Sequence, residues 1–210
     1  MKILLIIIPI FSFGQISPEL KVFVDSLSIV DRYESSNIGY GGTNSKVYDL
    51  FFEASKIATD KEVEYLAING KTIVKAYFST EAVDRKLQSL NDIFKYQLEN
   101  NEEFDRIYGC LGGKEDLVSK MYSSVVNYTL NSTLLELYGE ETKWTEKEAF
   151  KKLREFNNVI KNSEYSTDKL LSYIIIYDKK NLKKNCKNIL PMIKNKESKE
   201  IQYVLDICNK

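Results

Sequence analysis

Residues Ser35 to Arg85 read SSNIGYGGTNSKVYDLFFEASKIATDKEVEYLAINGKTIVKAYFSTEAVDR. The stretch opens on a glycine-rich turn, Gly39-Tyr40-Gly41-Gly42-Thr43. From about Ser45 to Ala58, the residues Val47, Leu50, Phe51, Ala54, Ile57 and Ala58 recur at spacings of three and four. That spacing predicts one amphipathic helix. Thr59 followed by Glu62 is a capping box, in which hydroxyl and carboxylate each take one orphan amide at a helix start. The box opens a shorter helix carrying Val63, Leu66 and Ala67, closed at Asn69-Gly70 by a glycine expected in the left-handed conformation. Thr72 then starts a third helix with Val74, Tyr77, Phe78 and Ala82 on its face.

Short helices with one apolar face each must stack on neighbours to bury it. Glu62-Val63-Glu64-Tyr65-Leu66, followed by Gly70-Lys71-Thr72-Ile73-Val74-Lys75-Ala76-Tyr77, resembles the HEAT-repeat family, with Lys75 where that family usually has Arg. The run Asn37 to Thr43 also resembles the entry to small exported bacterial proteins of HEAT-like type. The resemblance covers one to two repeats and fades beyond Arg85. It implies an all-α fold of stacked antiparallel helix pairs forming an α-α superhelix, and a scaffolding role.

Outward from this stretch, residues 1–14 read as a signal peptide. Lys2 precedes an apolar run from Ile3 to Phe13, with a cleavage point at Gly14-Gln15. The run is shorter than the roughly 20 residues a spanning helix needs, so no membrane span is expected. Residues 15–210 then form one HEAT-like domain, placed in the periplasm or secreted. Ser17-Pro18-Glu19 starts a helix with proline at its first position, its apolar face running from Leu20 to Val30 and its end near Arg32. Helical spacing continues through Leu87, Leu90, Ile93, Phe94 and Leu98, and resumes with Phe104, Ile107 and Tyr108. A glycine cluster at 109–113 interrupts it, and a further helix is expected from Leu117 to Val126.

Residues 125–137 are compatible with helix or strand. Thr145 and Glu148 form a second capping box. The octet 170–177 favours helix because Ser166-Thr167-Asp168 precedes it. Pro191 is expected to end or kink the helix before it, and Lys199 to Cys208 closes the chain with one more amphipathic helix.

Composition removes several kinds of chemistry. The chain has 30 basic and 30 acidic residues and no histidine. The charge balance argues against a nucleic-acid partner. Without histidine there is no Ser-His or Cys-His pair and no helix-borne zinc site, so no catalytic residue, metal ligand or cofactor is assigned. Cys110, Cys186 and Cys208 lack redox or zinc spacing. Cys186 and Cys208 are the nearest pair for a disulfide, against a reading of all three as small buried hydrophobes.

The glycine turn lacks the Gly-Lys-Ser/Thr of a phosphate loop and is read as a tight loop packing Tyr40 on the first helix pair. Trp144 is a partner or sugar contact, or a staple on the helix it precedes. Between Asp178 and Glu200, eight lysines face three acids. Lys179, Lys180, Lys183, Lys184 and Lys187 form a basic face, read as a solvated outer surface or an anion-binding one. The expected function is an exported, non-enzymatic module that binds another protein. The alternatives are a carboxylate-dependent hydrolase or envelope-polymer binder, needing acids and aromatics converging in a pocket, and an immunity or inhibitor protein.

Overall fold

The computed structural model describes residues 15–137, 143–194 and 196–209. The signal-peptide assignment to residues 1–14 lies outside them. In chain order come α1 (Pro18–Leu27), β1 (Arg32–Ile38), β2 (Thr43–Asn44), α2 (Lys46–Ile57), α3 (Asp60–Asn69), α4 (Thr72–Asp84) and α5 (Leu90–Glu99). Then follow β3 (Glu103–Gly109), β4 (Leu111–Asp116), α6 (Leu117–Leu137), α7 (Glu146–Lys161) and α8 (Asp168–Tyr177). A 3-10 turn, Lys179–Asn181, leads into α9 (Leu182–Ile193) and α10 (Lys199–Cys208).

The all-α superhelix is therefore corrected to a mixed α/β fold: among the described residues 66% are helix and 12% strand, with one four-stranded sheet in the order β2-β1-β3-β4. The central pair, β1 with β3, is parallel, and each outer pair is antiparallel. The expected helix end near Arg32 is in fact the start of β1. The spacing of Phe104, Ile107 and Tyr108 belongs to β3, where Ile107 and Tyr108 point to opposite faces. Phe104 and Tyr108 both lie against Tyr33, with ring centroids 6.0 and 5.9 Å away.

The helices of the central stretch form as their spacing predicts: α3 packs on α4, while α2 and α4 pack on β1. Ser45 caps α2 by accepting from the Tyr48 amide at 3.0 Å, and Phe51 and Ala54 are buried. Gly70 closes α3 at φ −66°, in extended and not left-handed backbone. A Cβ there would stand 2.6 Å from Val74 Cγ1 and 2.7 Å from the Leu66 carbonyl, so close approach is what requires glycine. Residues 125–137 continue α6, and 170–177 fall within α8. Pro191 sits in the last turn of α9, which ends two residues later. Phe94 of α5 stacks on Phe156 of α7 at 3.9 Å between centroids, and one buried core runs from Leu20 to Val204.

Both capping boxes form. Glu62 does more than cap α3. One carboxylate oxygen accepts from the Thr59 amide (2.8 Å), while the other accepts from the Ser17 amide at the start of α1 (2.7 Å). Burial pushes this carboxyl up, but the amide bonds from Thr59 and Ser17 outweigh it and hold the group down to about 2, from an ordinary 4.5. A folded value below the unfolded one gives stability that is complete above about 4.5 and lost as pH falls toward 2. Urea denaturation across that interval is expected to show the loss. Glu62→Gln should cost about 1 kcal/mol at neutral pH, the scale of a lost cap, and flatten the acid limb.

Candidate interaction surface at the hairpin tips

Two hairpins leave the helical body side by side. In the first, Gly39 and Gly42 take φ of +74° and +64°, values that L side chains strain to adopt. Gly109 does the same at +52° in the second. The tips are bonded to each other. The Gly39 amide donates to the Gly109 carbonyl (3.0 Å), and the Gly109 amide donates to Ser35 Oγ (3.0 Å). The Cys110 thiol lies 3.2 Å from the Gly39 carbonyl, with geometry to donate to it.

The tips present apolar side chains to solvent. Tyr40 is fully exposed and Leu111 is 73% exposed. Between the hairpins lies a shallow recess of about 370 Å³ lined by Ile38, Thr43, Ile107, Gly109, Cys110 and Gly112. β4 is an outer strand of the sheet, and Leu111 to Lys114 are exposed along it. Its outward amides and carbonyls have no backbone partner among the described residues. Natural sheets usually cover or charge such an edge, and here Lys114 is the one charge on its exposed part.

A cluster of rings and charges holds the platform from below. Tyr33 is buried and stacks on Tyr77 at 4.3 Å. Burial first, then the neighbouring Tyr108 and Tyr77, push its phenol up, so it stays neutral. Lys120 of α6 is 3% exposed, and its ammonium donates to Tyr108 Oη (2.7 Å). The ammonium stands 4.8 Å from the Tyr33 ring centre and 5.0 Å from that of Tyr108. Among the described residues no carboxylate pairs with it, so a hydroxyl and two ring faces carry this buried charge. Farther along the sheet, Glu115 lies 3.2 Å from Arg106 Nε and 3.7 Å from Lys169 Nζ. Burial lowers the Lys169 pKa, but Asp116, Tyr173 and Glu115 raise it more, so it stays charged.

The features singled out from sequence fall in different places. Tyr40 does not pack on the first helix pair; it points into solvent. The glycine turn is not poised over a helix start, because Glu34 Oε2 already accepts from the Ser45 hydroxyl there (2.6 Å). Trp144 is buried and donates from Nε1 to the Val83 carbonyl (2.8 Å), which excludes it as a surface contact. Cys186, buried in the core, and the partly buried Cys208 form a disulfide, and Cys110 is an exposed thiol, so the reading of three small buried hydrophobes fails for Cys110.

Three carboxylates, Asp31, Glu103 and Asp105, line a recess of about 310 Å³ with Phe104. Lys71 and Lys114 share that lining, so it is charge-mixed rather than an isolated acid pair. No cluster of three metal-ligating side chains occurs among the described residues, and no helix there is long and apolar enough to cross a membrane. Leu111, Cys110 and Lys120 were not singled out as contact or support residues by sequence. Glycines 109, 112 and 113 between two short polar runs were the available hairpin signal. Comparisons with protein-family models, curated proteins and solved structures give no match.

The support of this platform is testable at Tyr108. Tyr108→Phe removes the hydrogen-bond acceptor of a buried ammonium, a loss of about 1.5–3 kcal/mol for a bond to a charged group. Urea denaturation is expected to show a lower midpoint with an unchanged slope.

Proposed function

We propose that this chain is an exported, non-enzymatic module that binds another protein through the paired hairpin tips and the open edge of β4. The observation that carries the reading is the exposure of Tyr40 and Leu111 on glycine turns that are bonded to each other. Two apolar side chains held in solvent on a braced platform lose little conformational freedom on docking. Aromatic residues are enriched at the centres of binding interfaces. The neighbouring strand edge offers main-chain hydrogen bonds to an added strand.

Export is supported by Lys2 with the apolar run behind it, and by the Cys186–Cys208 disulfide, which persists in oxidising compartments. The non-enzymatic reading is supported by the lack of histidine in the sequence.

Cys110 allows a direct test. A benzophenone attached to its thiol is expected to give one discrete cross-linked protein in the envelope fraction. Replacing Tyr40 and Leu111 together by Ser should reduce that product at least about tenfold, as for hot-spot residues. The same probe at Glu64→Cys, in a Cys110→Ser background, should not give it. Equal products from both positions, or indifference to the Tyr40 and Leu111 changes, would contradict the assignment.

A further inference from the structure

One face of α7 is unlike its core face. Ala149, Leu153, Phe156 and Ile160 are buried, while Lys147, Phe150, Arg154 and Lys161, with the buried Asn157 among them, follow one another at three- and four-residue steps along a second stripe. This stripe meets the 3-10 turn and α9. At one end Lys180 stands 4.8 Å over the Phe150 ring. Around that ring lies a recess of about 390 Å³ lined by Lys147, Arg154, Lys180 and Asn181, with Glu146 and Asp178. At the other end Lys161 Nζ lies 3.5 Å from Asn185 Oδ1. Burial lowers the pKa of Lys161; the nearby Asp178 raises it and the nearby Lys184 lowers it further.

Beneath the cations, the buried Asp178 carboxylate accepts from the side-chain amides of Asn181 (2.9 Å), Asn185 (3.0 Å) and Asn157 (3.3 Å). Tyr122 donates to Asn157 Oδ1 at 2.8 Å and locks the floor to α6. Asp178 is thus satisfied by neutral dipoles and forms no ion pair among the described residues. The same holds for Lys147, Arg154, Lys161, Lys180 and Lys184: none is in a salt bridge among the described residues. Five cations gather along one seam with a rigid floor, and Glu146 and Asp178 are the acids that share its recess.

We propose that this seam binds an extended acidic segment of a polypeptide. Three observations select that ligand over other anions. Lys147 to Lys161 spans about 21 Å at 1.5 Å per residue, the length of about six extended residues. Glu146 and Asp178 lie in the recess and oppose a densely charged polyanion, and Lys180 covers the ring that a nucleobase would stack on. None of the large hydrophobic side chains most exposed among the described residues lies on α7, the 3-10 turn or α9, so the surface has no residue to insert into a lipid bilayer. The seam uses none of the strands and is separate from the hairpin tips.

The test is fluorescence anisotropy of the purified protein with a labelled octapeptide of alternating Glu and Thr. Saturable binding that weakens with added salt is expected. The triple change Arg154→Gln, Lys180→Gln and Lys184→Gln should weaken it at least about tenfold, at an unchanged melting temperature. The single change Lys147→Gln should weaken it less, and Lys194→Gln with Lys199→Gln not at all. Absence of saturable binding, or equal loss in the Lys194 and Lys199 control, would overturn the proposal. So would tighter binding of a sulfated polysaccharide, a single-stranded oligonucleotide or phosphatidylglycerol vesicles through the same residues.

Discussion

The Tyr77 hydroxyl accepts from the Glu34 amide at 3.0 Å and donates to the Glu34 carbonyl at 2.7 Å. Few side chains satisfy both backbone groups of one strand residue, and the reason lies in the sheet. β2 is two residues long and pairs only with Asn37 and Ile38. Among the described residues, the edge of β1 beside Glu34 therefore has no strand neighbour on that side. A buried, unmet amide or carbonyl costs about 1–3 kcal/mol, and Tyr77 removes that cost for both groups. Burial pushes the Tyr77 phenol well up, so it remains a donor across ordinary pH. The Glu34 carboxylate completes the joint, accepting from Ser45 at the start of α2 and from Arg32 Nε at 2.7 Å. One residue thus ties β1, α2 and α4 together.

The proposed function depends on this joint. β1 and β3 are distant in sequence and pair in parallel, so neither hairpin is held by local contacts alone. The Tyr33, Tyr77 and Phe51 rings continue the joint into the core, with Phe51 stacked 4.6 Å from Tyr77. On the other side Tyr33 passes the support to Tyr108 and Lys120. The tips can then be glycine-rich and still be fixed in place. Rigidity in the underlying rings, rather than in the loops, lets Tyr40 and Leu111 face solvent as a preformed surface.

The sequence made the helices of the central stretch legible because each has a clear apolar stripe, and the two capping boxes mark their starts without tertiary context. The sheet was hidden for a physical reason. β1 reads Arg-Tyr-Glu-Ser-Ser-Asn-Ile, and its edge is completed by Tyr77, which lies 43 residues beyond Glu34. In β3 the apolar residues fall three and four apart by coincidence; of them only Phe104 is buried, and Phe104 and Tyr108 both lie against Tyr33. The resemblance to stacked repeats rested on Glu62 to Leu66 and Gly70 to Tyr77, and the Tyr77 hydroxyl at the end of that run bonds the backbone of β1. For the surface, the glycine turn was visible but its direction was not, because the exposure of Tyr40 is set by its pairing with a second hairpin about 70 residues away. The lysine run was visible as charge, and its neighbours on α7 emerge only when the helices are packed.

The most direct measurement of this account is native-state hydrogen exchange over residues 32–38 and 103–109, compared between the wild type and Tyr77→Phe. The account predicts that the β1 and β3 amides, slow in the wild type, exchange faster together in the variant, while those of α7 and α8 change only by the global loss of stability. If the strands keep their protection in Tyr77→Phe, or if protection falls uniformly along the chain, the joint at Glu34 is not what holds the two hairpins in place.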